Sequence, residues 1–274
     1  VDLFEVFESE NGALSQSGRC RVARQRKRNG QFRLIYIPDS AYRKKLASVK
    51  PKIESILFAH RESCADHAFV KGRNCITNAE IHLGKPFVLS VDIENFFDSI
   101  QRSSICDLVS EDLLELVLED GAPKQGLPTS PTVANIAMLD VDRRIKLLCQ
   151  ALKGVAYSRY ADDLTFSFND ATLKNTLLEA VPKILCEHGL RLNSRKTRFQ
   201  NARNGCIHIT GVSLDSAGVR PTRKTSRRIR AAKHNGNESQ LVGLQEWAKC
   251  RHPKITRNTD LIQSTIISFD PHPF

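Results

Sequence analysis

The chain has 274 residues, room for one large domain or two modest ones, and its 41% hydrophobic and 26% charged residues exclude collagen-like and wholly disordered classes. The 41 Lys and Arg against 30 Asp and Glu give a net charge of +11 and a pI near 9.4, which points to a polyanionic partner, nucleic acid first. No apolar run approaches the roughly 18 residues needed to cross a bilayer and no signal-peptide pattern opens the chain, so a cytoplasmic protein without membrane contacts is expected. The start at Val1 rather than Met leaves room for a fragment.

In chain order, Val1 to Gly18 is acidic and then Gly/Ser/Gln-rich, a peripheral arm. Arg19 to Arg33 is basic without a single acid, as is Arg220 to Lys233; either run alone could be a solvated face, and two together favour an anionic ligand. Phe32 to Ile37 alternates apolar and polar residues up to Pro38, a half-buried strand, and Tyr42 to His60 has the spacing of a basic amphipathic helix. Pro86 to Val91 is a short apolar strand running into Asp92. From Thr129, a hydroxyl cap, a Pro near the first turn and apolar spacing of three and four predict one long helix, stopped by Gly154. Val155 to Tyr160 and Leu164 to Phe168 predict a hairpin around Ala161-Asp162-Asp163. Leu173 to His188 predicts a helix closed by Gly189, with Pro182 as a possible kink. Strands follow within Ile207 to Leu214, then a helix around Leu241 to Lys249 with Trp247 as a packing anchor. The alternation predicts an α+β sheet layered with helices. Eight cysteines in a chain this long are expected as reduced thiols. His60, Cys64 and His67, with Cys206 and His208, are the nearest to a metal cluster, set against ordinary buried thiols and surface imidazoles.

Asp92 ends one hydrophobic strand, and Asp162-Asp163 sit at the tip of a hydrophobic hairpin. Successive strand side chains point to opposite faces, so the pair converges only if the backbone turns there. A DD dipeptide alone is usually a surface turn. Three carboxylates gathered at a sheet edge suit Mg²⁺, which prefers hard oxygen ligands, and two such ions serve phosphoryl transfer.

The strings FVLSVDIENFFDSI (87–100), QGLPTSPTVAN (125–135), YADD (160–163), GLRLNSRKT (189–197) and ITG (209–211) follow the order and spacing of the reverse transcriptase motif series. Arg33, Ile35 and Pro38 look like the first fingers motif, NAEIH (78–82) matches an NAxxH signature, and ITG stands where VTG is usual. Over roughly residues 30–235 the chain resembles a bacterial retron-type reverse transcriptase, an RNA-directed DNA polymerase.

That resemblance implies a right-hand fold: arm and fingers over 1–85, a palm with inserted fingers elements over 86–219, and a short, incomplete thumb over 220–274. It implies that Asp92, Asp162 and Asp163 bind two Mg²⁺ ions, with the Ile93 carbonyl near a metal. Phe97 falls at the steric gate that prefers dNTPs to NTPs; core packing is the alternative for Phe96 and Phe97. Gln125 and Gly126 fall where the nucleotide is contacted, although PKQG replaces the common LPQG. Lys196 is placed to protonate pyrophosphate or to touch a surface phosphate, and Arg73 to hold triphosphate or template. Asn78 and His82 fall in the signature: a hydrogen-bonded structural histidine is the commoner role for His82, and contact with RNA is the other role open to the pair; Arg220, Arg223, Lys224, Arg227 and Arg228 would grip the duplex. The implied partners are dNTPs, a structured non-coding RNA that serves as template and primer source, the branched cDNA product, and an effector protein in anti-phage defence. Other bacterial reverse transcriptases, a catalytically silent RNA-binding relative and a basic scaffold are the competing readings.

Overall fold

The computed structural model describes residues 14–27, 30–61, 65–215 and 218–250. The chain opens with an antiparallel hairpin, β1 (Cys20–Arg26) and β2 (Phe32–Pro38), in register from Cys20↔Pro38 to Arg26↔Phe32. β2 is the expected strand, and β1 is formed from the basic run itself. Arg19 does not belong to a solvated face. Its guanidinium pairs with Glu119 at 2.8 Å, donates to the Leu118 carbonyl at 3.0 Å and lies 4.5 Å from the centre of the Tyr42 ring. The described end of the arm is tied down at the same place, where Gln16 N–H donates to Asp120.

α1 (Ser40–His60) begins a turn-fraction before Tyr42 because Asp39 caps it, accepting from Tyr42 N–H at 2.7 Å. Its inward face is Tyr42, Leu46, Ile53 and Leu57, at helical spacing, and it packs against α4 and α5 below. The short α2 (Cys75–Glu80) is closed by an Asn74–Thr77 capping box. β3 (Phe87–Asp92) follows, then α3 (Phe96–Ser99), α4 (Glu111–Val117), α5 (Ser130–Ala137) and α6 (Leu139–Ala151). The single helix expected from Thr129 to Gly154 is thus two, divided at buried Met138, whose ψ of −3° interrupts the helix without a Gly or Pro to announce it.

β4 (Ala156–Tyr160) and β5 (Asp163–Phe168) form the expected hairpin, and α7 (Leu173–Glu187) runs through Pro182 before Gly189. With β6 (Arg198–Asn201) they complete an antiparallel sheet of order β4-β5-β3-β6. Val88, Leu89, Val91, Leu164, Phe166 and Phe168 are all 2% exposed or less. Leu89, Val91 and the three β5 side chains share one core with α1 and α4–α7. A second sheet contains β7 (Ile207–Ile209), β8 (Val212–Asp215) and β9 (Gly218–Pro221) and packs on α2. Thr210 and Gly211, both left-handed, divide β7 from β8. The described chain ends in a helical hairpin, α8 (Arg223–His234) and α9 (Glu238–Ala248). Asn237 caps α9 three residues ahead of the expected start, and Trp247, expected as an anchor, stays 41% exposed. No helix among the described residues is long and apolar enough to cross a membrane.

Candidate active site

Strand register brings the acids together. Asp92 is the cross-strand partner of Asp163, so both side chains stand on one side of the sheet. Asp162 joins them because β4 and β5 are linked by a two-residue turn, closed by the Tyr160↔Asp163 pair. Ala161 holds that turn at φ +56°, a region strained for any residue with a Cβ. Ile93 N–H donates to the Asp162 carbonyl at 2.9 Å and ties the turn to the end of β3.

The three carboxylates are electrostatically costly. Burial above all, then the charges of Asp162 and Asp92, push Asp163 up to about 6. Burial and the Asp92 charge also raise Asp162. Lys196 Nζ lies 2.8 Å from Asp92 Oδ2. Asp92 is 5% exposed, and its Oδ1 has no hydrogen-bond partner. An all-oxygen donor set, mutual repulsion and an orphaned buried oxygen fit a hard divalent cation completed by water and substrate oxygens. Among the described residues no three His, Cys, Asp or Glu side chains, these three acids included, are already drawn together as an ion cage; the acids stand as neighbours that a bound cation would draw in. Of the cluster considered at His60, Cys64 and His67, Cys64 lies outside the described residues; Cys206 and His208 are joined by no third His, Cys, Asp or Glu among the described residues.

Asp92 and Asp162 open onto a cleft of about 1200 Å³ that reaches β2, with Arg33, Leu34, Gln125 and Lys196 on its walls. Phe96 and Phe97 divide the two roles expected of them. Phe96 is 5% exposed in the core, whereas Phe97 is half-buried and lines the cleft, 6.4 Å from the Phe69 ring. Ile93 lines the cleft beside Asp92, its side chain in the core. The Gln125 carbonyl accepts from Tyr36 N–H at 2.8 Å. Gly126, at φ +114°, does not line the cleft; a Cβ there would run into the Tyr36 carbonyl oxygen, so β2 makes the close approach expected of a nucleotide.

Other expected ligand contacts move away from the cleft. Arg73 is not on its wall, and its guanidinium donates to the Asp66 carbonyl at 2.8 Å. Asn78 and His82, expected at RNA, are 0% and 1% exposed. Ser158 donates to Asn78 Oδ1 at 2.8 Å, so His82 Nε2–H donates to Ser158 at 2.7 Å and Nδ1 accepts from Ser167 at 2.8 Å. Burial lowers the His82 pKa to about 3, so the ring is neutral. Asn78 also reaches Thr210 at 3.4 Å, which joins the NAEIH and ITG strings physically. The correction is physical: these side chains hold β4 and β5 from behind and are closed to a ligand. On α8, Arg223, Lys224, Arg227 and Arg228 are exposed, and Arg220 on β9 pairs with Asp215 at 3.1 Å.

A buried cluster was missed. Arg159 is 1% exposed and Asp142 2%; their bidentate pair is 2.8–3.0 Å long, with Tyr157 donating to Asp142 at 2.7 Å. The available signal was an arginine inside the apolar strand before YADD.

Residues 25–220 match the family model for reverse transcriptase (RNA-dependent DNA polymerase), and the chain belongs to that family. It is 29% identical over 264 residues to the retron Mx65 reverse transcriptase of Myxococcus xanthus, covering 83% of this chain and 60% of that protein. It is 31% identical over 252 residues to the retron Mx162 enzyme of the same organism (76% and 51%), and 29% over 191 residues to the retron Ec86 enzyme of Escherichia coli (65% and 59%). The chain thus spans about half to three-fifths of the length of these curated relatives. Among solved structures it is similar to telomerase from Candida albicans with a telomeric RNA fragment (TM-score 0.58, 13% identical, 74% of this chain and 46% of that one). A foamy viral protease-reverse transcriptase with double-stranded DNA matches at TM-score 0.52 and 17% identity (86% and 37%). These likenesses show the reverse transcriptase polymerase fold.

Proposed function

We propose that this chain is a retron-type RNA-directed DNA polymerase that copies a structured non-coding RNA into a short cDNA in the cytoplasm. The observation that carries it is the convergence of Asp92, Asp162 and Asp163 beside the cleft lined by Phe97, with a buried Asp92 oxygen unpartnered. Residues 1–85 would serve as arm and fingers, 86–219 as palm and the chain from 220 as thumb. Asp92, Asp162 and Asp163 would hold two Mg²⁺ ions, which supply activation of the attacking oxygen and neutralise charge on the leaving group. The primer hydroxyl attacks the dNTP α-phosphorus, a new P–O bond forms, the bond to the bridging oxygen breaks, and pyrophosphate leaves.

Phe97 would lie under the incoming sugar and exclude a 2′-hydroxyl. Lys196, beside Asp92, would give a proton to pyrophosphate. Arg223, Lys224, Arg227 and Arg228, exposed along one helix, would neutralise duplex phosphates. The retron reading carries a branched RNA–DNA product and a defence role with an effector protein, supported by the class of the curated relatives. Extension of a DNA primer on RNA with Mg²⁺ tests the polymerase. Absence of incorporation, or incorporation unchanged by Asp162→Asn with Asp163→Asn, refutes it. Sequencing the copurifying nucleic acid tests the retron type: a short branched cDNA is expected, and a long or protein-linked product refutes it.

A further inference from the structure

Arg159 makes more bonds than its charge requires. Among the described residues Asp142 alone forms an ion pair with the guanidinium, through Nε and Nη2. The remaining edge, Nη1, reaches two other places: the Ala161 carbonyl at 3.2 Å and Asn135 Oδ1 at 3.0 Å. Ala161 is the strained first residue of the turn that presents Asp162 and Asp163. Asn135 in turn donates through Nδ2 to the Ala68 carbonyl at 3.1 Å, immediately before Phe69, which is itself left-handed at φ +62° and faces Phe97. The Arg159 backbone stitches the same loop, since its N–H donates to the Ala65 carbonyl at 2.7 Å and its carbonyl accepts from His67 N–H at 2.8 Å. Two non-glycine residues with positive φ, Phe69 and Ala161, therefore line the cleft and are linked through one buried, planar fork. Neither conformation is a resting state for a residue with a Cβ; each persists because its surroundings hold it. A two-residue hairpin turn favours Gly at the position Ala161 occupies, so the held carbonyl substitutes for glycine's freedom.

We propose that Arg159 is a positioning residue for nucleotidyl transfer, which fixes the Asp162–Asp163 turn through Ala161 and, through Asn135, keeps the Phe69–Phe97 wall in register with it. The inference rests on the polymerase reading above. It differs from a packing role in one respect: a residue that only stabilises the fold is indifferent to the conformational freedom of position 161.

The test compares the full-length parent with Arg159→Lys, Ala161→Gly, the double variant and Asn135→Asp, measuring primer extension with dNTP and NTP and the thermal melt. Arg159→Lys keeps the charge and loses the fork, and a misplaced turn is expected to lower kcat by about 100-fold with the melt still cooperative. Adding Ala161→Gly is expected to recover roughly fivefold or more of that loss, because glycine adopts the turn unaided. An Arg159→Lys enzyme within about twofold of the parent, or losses in the double variant that simply multiply, overturns the proposal. Should Arg159→Lys not fold, Asn135→Asp decides. It keeps the acceptor for Nη1 and removes the donor to Ala68, and it is expected to raise the KM for dNTP and weaken the dNTP-over-NTP preference by about fivefold. If neither changes, the proposal is overturned. A parent inactive on primed RNA overturns both this and the polymerase reading, whereas an active parent with indifferent variants overturns this alone.

Discussion

Replacing Asp163 by Asn should stabilise the metal-free protein while abolishing catalysis. Burial first, then the charges of Asp162 and Asp92, push Asp163 from the usual 3.8 up to about 6. The folded chain therefore holds this proton more tightly than the unfolded chain does. The sign follows: the site imposes no penalty below about pH 4, the penalty grows as pH rises from about 4 to 6, and it is complete above that. A displacement of about two pH units at 1.36 kcal/mol each sets the upper bound near 3 kcal/mol. Asn keeps the shape and removes the charge, so at pH 7.5 in EDTA a gain of about 1–3 kcal/mol is expected, seen as a melting temperature higher by about 2–8 °C. At pH 4.5 the gain should fall to about a third of that, and added Mg²⁺ should raise the melting temperature of the parent more than that of the variant. A variant that melts at or below the parent temperature at pH 7.5, or a gain undiminished at pH 4.5, refutes the account of three mutually repelling carboxylates.

The two basic runs separate by a paired measurement. Arg19→Ala leaves Glu119 buried without its guanidinium and should cost about 3 kcal/mol in urea unfolding, with the salt slope of RNA–DNA binding unchanged. Arg227→Ala with Arg228→Ala should leave stability within about 0.5 kcal/mol and lower that slope by about 1.8, at 0.9 per phosphate contact. Gly126→Ala drives a Cβ into the Tyr36 carbonyl at a backbone angle that disfavours side chains, so a loss of about 2–4 kcal/mol is expected by denaturant titration, with a raised KM for dNTP. Lys196→Gln removes the cation beside Asp92 and should lower the Mg²⁺ midpoint for thermal stabilisation about two- to fivefold while turnover falls; an unchanged midpoint refutes competition between lysine and metal.

The carboxylate turn was legible because YADD interrupts two apolar strands, and acids at such a place need a reason. The register that sets Asp163 opposite Asp92 was not legible, since it is fixed by a two-residue turn and by β3 lying between β5 and β6. β1 was hidden by its own arginines. Its pairing with β2 is a backbone ladder that takes no notice of side-chain charge. His82 takes the structural role that is the commoner one for a histidine at such a position, whereas its RNA-contacting alternative, and Asn78 with it, is closed off by burial. The partners of His82, Ser158 and Ser167, are serines on apolar strands 76 and 85 residues away, and only the folded sheet brings them into range. The break at Met138 left no trace in the sequence, because neither neighbour is a helix breaker.

Stability and function pull the central hairpin in opposite directions. Its tip carries strained Ala161 and two acids, Asp162 and Asp163, crowded against Asp92 at the end of β3. Its stems carry the opposite: β5 side chains from Leu164 to Phe168 at 1% exposure or less, and two polar networks almost entirely closed to solvent, His82 with Ser158 and Ser167 on one side and Arg159 with Asp142 on the other. A buried ion pair contributes little net stability beside an apolar replacement, and a buried histidine between two serines contributes no more. What such networks do add is direction, because each donor must meet its acceptor and the chain cannot slide to a neighbouring packing. The placement of both networks along β4 and β5 follows from that need: a tip that would relax if free has to be fixed from its stems.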